Sequence, residues 1–420
     1  YAGAGALPFI GRRSDLHAPI GGMTYANGEV FVTHRDADGN GVVSAFTLDG
    51  NRRTVVGGLP AQGDYSVTDI VYNPANGRLY FGLGSATNSG VVGIDNWDAG
   101  WVDRFRDFCD QPYVDLKLLG YRFDTPNPLG GFFGGDDKAV SAPFQSFGTS
   151  NQVRIRAAIN RRPTSAIYSI SPDGGDLRVE AHGIRRPAGL VFNEFGSLFA
   201  TNNGMELRGA RAVKDDPDVV LRVPLGGETW FGFPDYSADQ LPISDPRFQP
   251  PVEMIIQTGY PELSFLIDHA TSGLTPPDRN TLLRGVFPSL SGAAKMAVVR
   301  ERGAFRDFRG NIIVALSGDR APHATSGRPL VGPIGYRVVR VDPDTRQVRE
   351  FVFNPSMLPG SRTGNALALE RPIDVKFGPD GALYILDFGE MTLRGSAERV
   401  TKRTGRISRR APEPPATTRP

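Results

Sequence analysis

The chain has 420 residues, of which 51 are Gly and 34 are Pro. Hydrophobic residues make up 40% of it, too many for a disordered protein, and the glycines lack the strict period of collagen. Each Gly or Pro inside a helix costs about 1–3 kcal/mol, which argues against a helical bundle. The apolar runs are far shorter than the ~18 residues of a membrane-spanning helix. The composition therefore predicts a soluble, turn-rich, all-β chain.

Charge and cysteine content narrow the function classes further. The formal net charge is only +2, which gives no reason to expect nucleic acid or an anionic membrane as a partner. Arg supplies most of the 47 basic residues, which either reflects a biased genome or serves bidentate recognition of carboxylates. The single cysteine, Cys109, excludes an internal disulfide and any Cys-based zinc site.

A repeated hairpin is the main structural signal along the chain. Four segments share it: 21–34, 67–84, 187–204 and 372–389. Each has an aromatic residue on the first strand, a turn glycine and a second aromatic residue on the return strand, a pattern typical of a β-hairpin. In chain order these triplets are Tyr25, Gly28 and Phe31; Tyr72, Gly77 and Tyr80; Phe192, Gly196 and Phe199; and Phe377, Gly381 and Tyr384. A weaker fifth copy runs over 293–316.

A second hairpin follows most copies, so each repeat predicts a four-stranded sheet. Repeated four-stranded sheets indicate a β-propeller, whereas a β-sandwich would not explain the repeated aromatic-turn-aromatic unit. Five units are recognisable, and we place a sixth within about 240–290, which predicts a six-bladed β-propeller over residues 1–409. Long insertions are expected at 92–163 and 205–290, and residues 410–420 form a Pro-rich tail.

One segment, DADGNG from Asp36 to Gly41, resembles the start of a calcium loop. The twelfth position of such a loop needs a bidentate Glu, but here it is Thr47. We therefore interpret the segment as a turn. The five histidines show no metal-binding spacing either.

Two strand-end segments, 84–96 and 183–220, are rich in Asn, Gly, Arg and Asp. Consecutive Gly and Asn residues let backbone groups point at a ligand or ion. Arg185 and Arg186 could hold an anionic group there. The alternative is ordinary turn chemistry with surface arginines.

These segments resemble the glucose/sorbosone dehydrogenase family, and most closely a bacterial branch of sorbosone dehydrogenase-like proteins. The resemblance rests on GRLYFGLGSATNSGVVGIDN, GIRRPAGLVFNEFGSLFATNNGMELRGARAVKDDPD, FRGNIIVAL and RPIDVKFGPDGALYILDFG, and it spans most of 67–409. It implies a six-bladed propeller that carries pyrroloquinoline quinone (PQQ), a cofactor with three carboxylates, and calcium.

The resemblance also implies site residues. It assigns calcium to backbone carbonyls at the Gly204–Met205 turn and cofactor contacts to a group of polar and basic residues. The family's acidic residue after the turn matches Asp218, which, like Asp69, is a conceivable catalytic base in this chain. The cofactor-binding candidates are Arg185, Arg186, Asn202, Asn203 and Arg320.

One departure from the family bears on activity. Members carry a catalytic His before a Pro in the second repeat, where it takes the substrate hydroxyl proton while hydride passes to the quinone. This chain has Asn73 there, and an amide cannot accept that proton.

Three functions remain open. The first is a PQQ-dependent oxidoreductase acting on a sugar or a related alcohol or aldehyde, located in the periplasm or outside the cell. The second is a calcium-dependent lactone hydrolase with Asn88, Asn202 and Asn203 as ligands. The third is a non-catalytic propeller that binds a protein partner.

Overall fold

A computed structural model describes residues 16–130, 136–227, 229–255, 262–300, 305–321, 323–330, 332–365 and 367–391, together with the backbone of 406–409. The Pro-rich tail 410–420 lies outside the described residues. Strands dominate the described part, which confirms the all-β prediction. Its large sheets are five in number, and each begins with a hairpin that the sequence predicts.

The five sheets follow one another along the chain. The first contains β1 (His17–Ala26), β2 (Glu29–Arg35), β3 (Gly41–Thr47) and β4 (Arg52–Leu59). The second contains β5 (Val67–Asn73), β6 (Arg78–Leu83), β11 (Ala166–Ile170), β12 (Arg178–His182) and β16 (Thr229–Trp230). The third contains β13 (Pro187–Phe192), β14 (Leu198–Asn202), β15 (Asp218–Val223) and β17 (Leu283–Phe287). The fourth contains β18 (Ala293–Val298), β19 (Ile312–Leu316), β20 (Arg337–Val341) and β21 (Val348–Val352). The fifth contains β22 (Pro372–Phe377), β23 (Leu383–Asp387) and β24 (Arg406–Arg409).

The connections add short elements. Residues 92–163 contribute α1 (Ile94–Asp98), α2 (Trp101–Arg104), β7 (Leu116–Lys117), β8 (Phe123–Pro126), β9 (Lys138–Ser141), β10 (Arg154–Ile155) and the 3₁₀ helix Ile159–Arg161. Later connections contribute α3 (Arg279–Leu282) and the 3₁₀ helices Pro246–Phe248, Val252–Met254, Arg306–Phe308, His323–Thr325 and Gly360–Arg362. Among the described residues, no helix is long and apolar enough to cross a membrane.

The segment 205–290, which the sequence analysis treats as an insertion, also belongs to the sheets. It supplies β15 and β17 to the third sheet, and β16 pairs in parallel with β12 of the second. The described part of 240–290, where we place a sixth unit, forms 3₁₀ turns, α3 and the last strand of the third sheet. The blade count of six stays a prediction.

The first strand of each sheet, called here the inner strand, carries an irregularity near its start. In all five hairpins the register shifts there, for example between Val67 and Ile70 and between Pro187 and Leu190. Successive inner strands contact each other in chain order. Beta-bulges change the direction of side chains and are common beside functional sites. The same end of the sheets therefore presents irregular backbone from several repeats.

The aromatic residues of the repeat explain how the sheets stack. Phe31 and Phe81 are fully buried between the first and second sheets. Tyr80 of the second sheet meets Phe192 of the third edge to face, with ring centroids 5.0 Å apart. Each fully buried side chain of this size contributes about 1.5–3 kcal/mol. Aromatic residues such as Phe31, Tyr80 and Phe192 thus pack neighbouring sheets against each other, whereas Tyr25 of the first repeat is 60% exposed.

Candidate functional site

Three guanidinium groups surround the ring of Tyr65 at the start of the inner strands. The central carbons of Arg185, Arg186 and Arg320 lie 4.7, 4.9 and 5.9 Å from the ring centroid. Glu206 is the carboxylate beside them. We call these five residues the arginine cluster. A cation over an aromatic face is favourable by about 0.5–2 kcal/mol, more when water is excluded.

The cluster is assembled from loops that are distant in sequence. Tyr65 precedes β5, and Arg185 and Arg186 connect β12 of the second sheet to β13 of the third. Glu206 follows β14, and Arg320 follows β19 of the fourth sheet. The ends of three sheets therefore meet here, which brings together the cofactor candidates Arg185, Arg186 and Arg320.

Arg185 is 2% exposed and uses all its donors within the protein. Its Nε donates to the Asn88 carbonyl at 2.8 Å, and one terminal nitrogen donates to the carbonyls of Gly204 at 2.5 Å and Asn203 at 3.4 Å. The other donates to the Tyr65 hydroxyl at 2.9 Å and to Asn88 Oδ1 at 2.7 Å. Arg185 therefore ties the loops together and has no donor left for a ligand.

Arg186 has the opposite arrangement. Its backbone N–H donates to Asn202 Oδ1 at 2.9 Å, but its guanidinium has no hydrogen bond or ion pair with the described residues. The side chain is half-buried beside Tyr65. Burial lowers the pKa of Arg186. Tyr65 and Glu206 raise it by smaller amounts, while Arg320 and Arg185 lower it. A partly desolvated charge without a counter-ion is unfavourable, so this position suits an anion.

Glu206 balances part of this positive charge. Its Oε1 accepts from Arg320 at 2.7 Å, and its Oε2 accepts from Arg208 at 2.6 Å. Burial alone would raise the pKa of Glu206, but Arg320, Arg208 and Arg185 hold it well below the ordinary value. Glu206 is therefore an ionised partner for the arginines and a poor proton acceptor.

A second charged group adjoins the cluster. Arg208 contacts Asp64 and Asp95 at 2.5 Å each, in addition to Glu206. We call these four residues the Arg208 node, and all four side chains are at most 10% exposed. Burial lowers the pKa of Arg208, but the three carboxylates raise it well above the ordinary value. Burial raises the pKa of Asp95 to about 6 against the attraction of Arg208.

The Gly204–Met205 turn is held from behind by two buried carboxylates. Asp218 accepts from the Gly204 N–H at 3.0 Å, and both the Asn203 side chain and the Ala293 N–H donate to it at 2.8 Å. Asp216 accepts from the Met205 N–H at 2.6 Å, and burial raises its pKa to about 7. A Cβ on Gly204 would lie 2.3 Å from the Asp216 carbonyl, so only glycine fits.

The three candidate asparagines point to different partners. Asn88 Oδ1 accepts from Arg185 and from the Glu206 N–H at 2.9 Å, and Asn202 Oδ1 accepts from the Arg186 N–H. Asn203 Oδ1 is buried and has no hydrogen-bond partner among the described residues. Only one of the three amide oxygens is thus available to a ligand.

Asn73 lies apart from the arginine cluster. It ends β5, and its Oδ1 accepts from the Ala75 N–H at 3.0 Å within the β5–β6 turn. Tyr65 precedes the other end of this strand, which is about 20 Å away at ~3.3 Å per residue. The structure therefore does not bring Asn73 together with the predicted cofactor residues, whereas Asp218, the other predicted catalytic residue, contacts Asn203 and Gly204.

Two other sequence interpretations can be compared with the structure. Asp36 Oδ1 accepts from the N–H groups of Asp38 at 3.0 Å and Asn40 at 2.8 Å, so the segment forms a turn between β2 and β3. Cys109 is partly buried. Burial, and to a smaller extent the nearby charges of Asp110 and Asp107, raise the pKa of its thiol to about 12. Within the described residues, no group of three or more His, Cys, Asp or Glu side chains is placed to bind a metal.

Sequence reasoning missed part of the site. Glu206 and Arg208 lie inside the segment 183–220 and Asp95 lies inside the segment 84–96, but their roles depend on Asp64 and Tyr65, which belong to neither segment. The Tyr65 hydroxyl is 120 residues away in sequence from the Arg185 nitrogen that donates to it. Only the DY pair just before the second repeat could have pointed to these positions.

No family model matches the chain, and no curated protein matches it. Among solved structures it is similar to a carbohydrate-active enzyme of family AA12 from Trichoderma reesei in a calcium structure, with 14% identity over 90% of this chain and 80% of that one (TM-score 0.49). It is also similar to the soluble aldose sugar dehydrogenase of Escherichia coli in the apo-form, with 13% identity over 92% and 85% (TM-score 0.45). A third match is the holo form of the pyranose dehydrogenase PQQ domain of Coprinopsis cinerea, with 14% identity over 89% and 90% (TM-score 0.38). Sugar dehydrogenases thus occur among the matches, as the sequence resemblance implies, but at these identities they assign no role to any residue.

Proposed function

We propose that the arginine cluster binds a carboxylate-bearing quinone of the PQQ type and that the chain is an oxidoreductase acting on a sugar or a related alcohol or aldehyde. The observation that carries the proposal is Arg186, a half-buried guanidinium beside Tyr65 with no counter-ion among the described residues. We further propose that the five sheets are blades of a six-bladed propeller, with the cluster at one end of its axis, and that the protein works in the periplasm or outside the cell.

The residues present fit a polycarboxylate. Arg186 would bind one carboxylate directly, and Arg320, whose side chain is 24% exposed, would bind a second while keeping its contact with Glu206. Asn203 Oδ1 remains free to accept a hydrogen bond. Bidentate guanidinium–carboxylate pairs are strong and directional, so two such contacts would fix the plane of the ligand. When bound, a PQQ-type cofactor supplies the carbonyl group that accepts hydride.

Proton transfer is the step that the cluster supports least. The Glu206 pKa is well below the ordinary value, and the Asp218 oxygens hold three donors. Asn73 lies at the far end of β5. A quinone-binding propeller without sugar oxidation is therefore the second candidate function, and this lack of a proton acceptor in the cluster favours it.

A lactone hydrolase has less support. Such a mechanism needs several oxygen ligands directed at one calcium ion. Asn88 Oδ1 and Asn202 Oδ1 instead accept hydrogen bonds from the protein.

The test titrates the chain with PQQ and follows the quinone absorbance, then adds sugars with an artificial electron acceptor. Arg186→Gln should weaken binding by about 10–100-fold, since hydrogen bonds to charged groups contribute about 1.5–3 kcal/mol. Arg178→Gln, which removes a surface arginine paired with Asp176, is the matched control and should bind as the wild type does.

The outcomes separate the candidates. Binding with dye reduction supports the oxidoreductase, and binding without reduction of the dye by any sugar supports the second candidate. Absence of quinone binding, or equal binding by Arg186→Gln, contradicts both.

A further inference from the structure

We infer that the Arg185 guanidinium occupies the cation position that the family resemblance assigns to calcium at the Gly204 turn, so that this turn binds no metal ion. The inference concerns the chain without any quinone and stands apart from the proposed function. It rests on where the five N–H groups of Arg185 go and on where the nearby carboxylates point.

The acceptors around Arg185 form a shell of oxygens. Three are backbone carbonyls, from Asn88, Asn203 and Gly204, at 2.8, 3.4 and 2.5 Å. The other two are Asn88 Oδ1 and the Tyr65 hydroxyl, at 2.7 and 2.9 Å. Calcium takes 6–8 oxygen ligands of similar type, chiefly carboxylates, carbonyls and waters. Here oxygens that include the Gly204 carbonyl already surround a cation, and that cation is part of the chain.

A calcium ion at the same turn would conflict with this guanidinium. It would need the Gly204 carbonyl at about 2.3–2.6 Å, while Arg185 donates to that oxygen from 2.5 Å. The two like charges would lie within a few ångströms in a region where Arg185 is 2% exposed, and at such burial their repulsion is poorly screened.

The nearby carboxylates are also turned away from a metal. All four oxygens of Asp218 and Asp216 accept hydrogen bonds from backbone N–H groups. Gly204 and Ala293 donate to Asp218, Met205 and Ala238 donate to Asp216, and the Asn203 side chain also donates to Asp218. The two carboxylates thus neutralise the side of the turn where its N–H groups point, whereas the Gly204 carbonyl points toward Arg185. A metal would therefore find neutral oxygens and a positive group, but no free carboxylate from this pair.

The first experiment uses the wild-type chain alone. Equilibrium dialysis with calcium and thermal unfolding in calcium or in EDTA should give no stoichiometric binding and the same melting temperature in both buffers. Stoichiometric calcium binding that is lost together with thermal stability in EDTA would overturn the inference, whatever the outcome of the quinone titration.

The second experiment opens the position. Arg185→Ala leaves five oxygen acceptors around a cavity, so the variant should melt at a lower temperature and regain part of the loss in calcium. Terbium should then show emission sensitised by Tyr65. Arg185→Lys keeps a cation there and is the matched control, which should respond to neither ion.

A milder variant guards against loss of folding. Arg185→Gln keeps an amide donor group for part of the shell and should show a smaller calcium response in the same direction. A folded Arg185→Ala or Arg185→Gln that neither binds terbium nor is stabilised by calcium contradicts the inference. If neither variant folds, the wild-type dialysis decides it.

Discussion

Arg208 and Arg186 lie close together at the strand ends, but only Arg208 has carboxylate partners. Arg208 contacts three carboxylates, each within 2.6 Å, and its pKa is raised well above the ordinary value although burial opposes this. Arg186 contacts none in the described residues, and burial lowers its pKa. Burying an unpaired charge is costly, so the two arginines call for different explanations.

We interpret this difference as one between a structural arginine, Arg208, and an arginine that we propose to bind an anion, Arg186. Asp64 precedes Tyr65, Asp95 lies in α1 and Glu206 follows the Gly204 turn, so Arg208 joins three loops into one unit. Arg186 joins nothing through its guanidinium. Replacing the structural arginine should therefore affect folding, whereas replacing the binding arginine should affect a ligand.

The largest expected effect comes from Arg208→Met. The substitution leaves Asp64, Asp95 and Glu206 buried without their shared cation, and removing one partner of a buried ion pair costs about 3–5 kcal/mol. The free energy of unfolding, measured with urea, should fall by that amount. Arg178→Met, at an exposed pair, is the control and should leave it nearly unchanged. An Arg208→Met loss as small as that of the control would show that the node is not a structural unit.

The hairpins can be predicted from the sequence alone because the residues that define each of them lie close together in the chain. Tyr25, Gly28 and Phe31 lie within seven residues of each other, and Gly28 has the positive φ of 84° that its turn requires. The pairing of β15 with β17 is not local, because about 60 residues separate them. For that reason the sequence predicts an insertion at 205–290, although this segment supplies two strands of the third sheet.

The candidate site divides in the same way. Arg185, Arg186 and Gly204 are found from short motifs. Every guanidinium N–H of Arg185 donates a hydrogen bond, whereas none of those of Arg186 does so among the described residues. This distinction depends on Tyr65 and Asn88, which are 120 and 97 residues away from Arg185 in sequence. Composition and spacing carry no information on which of two adjacent arginines turns inward.

A medium effect is expected from the pH dependence of the Arg208 node. Burial raises the folded-state pKa of Asp95 from 3.8 to about 6. Protonated Asp95 therefore stabilises the folded state fully below about pH 4, and this stabilisation is lost as the pH rises through 6. The loss in the free energy of unfolding is about 3 kcal/mol, at 1.36 kcal/mol per pKa unit. Asp95→Asn cannot ionise and should escape this loss.

The measurement is the free energy of unfolding of both proteins at pH 4 and pH 7. The difference between Asp95→Asn and the wild type should move in favour of the variant by about 2–3 kcal/mol over this range. The comparison cancels titrations that both proteins share. Parallel pH curves would mean that the pKa of Asp95 is the same in the folded and unfolded states, and that burial does not raise it.

The smallest effect on stability should come from Arg186→Met, and its smallness is the informative result. The substitution removes a cation over Tyr65, worth about 0.5–1 kcal/mol, but it also removes a half-buried charge whose desolvation nothing in the described residues offsets. Because these terms oppose each other, the free energy of unfolding without ligand should change by less than about 1 kcal/mol in either direction. A loss comparable to that of Arg208→Met would mean that Arg186 has a structural partner, and its assignment as the anion-binding arginine would fail. We expect PQQ to raise the melting temperature of the wild type. A near-zero change in unfolding free energy, together with the absence of this increase in Arg186→Met, would support a role of Arg186 in ligand binding and leave the structural role to Arg185 and Arg208.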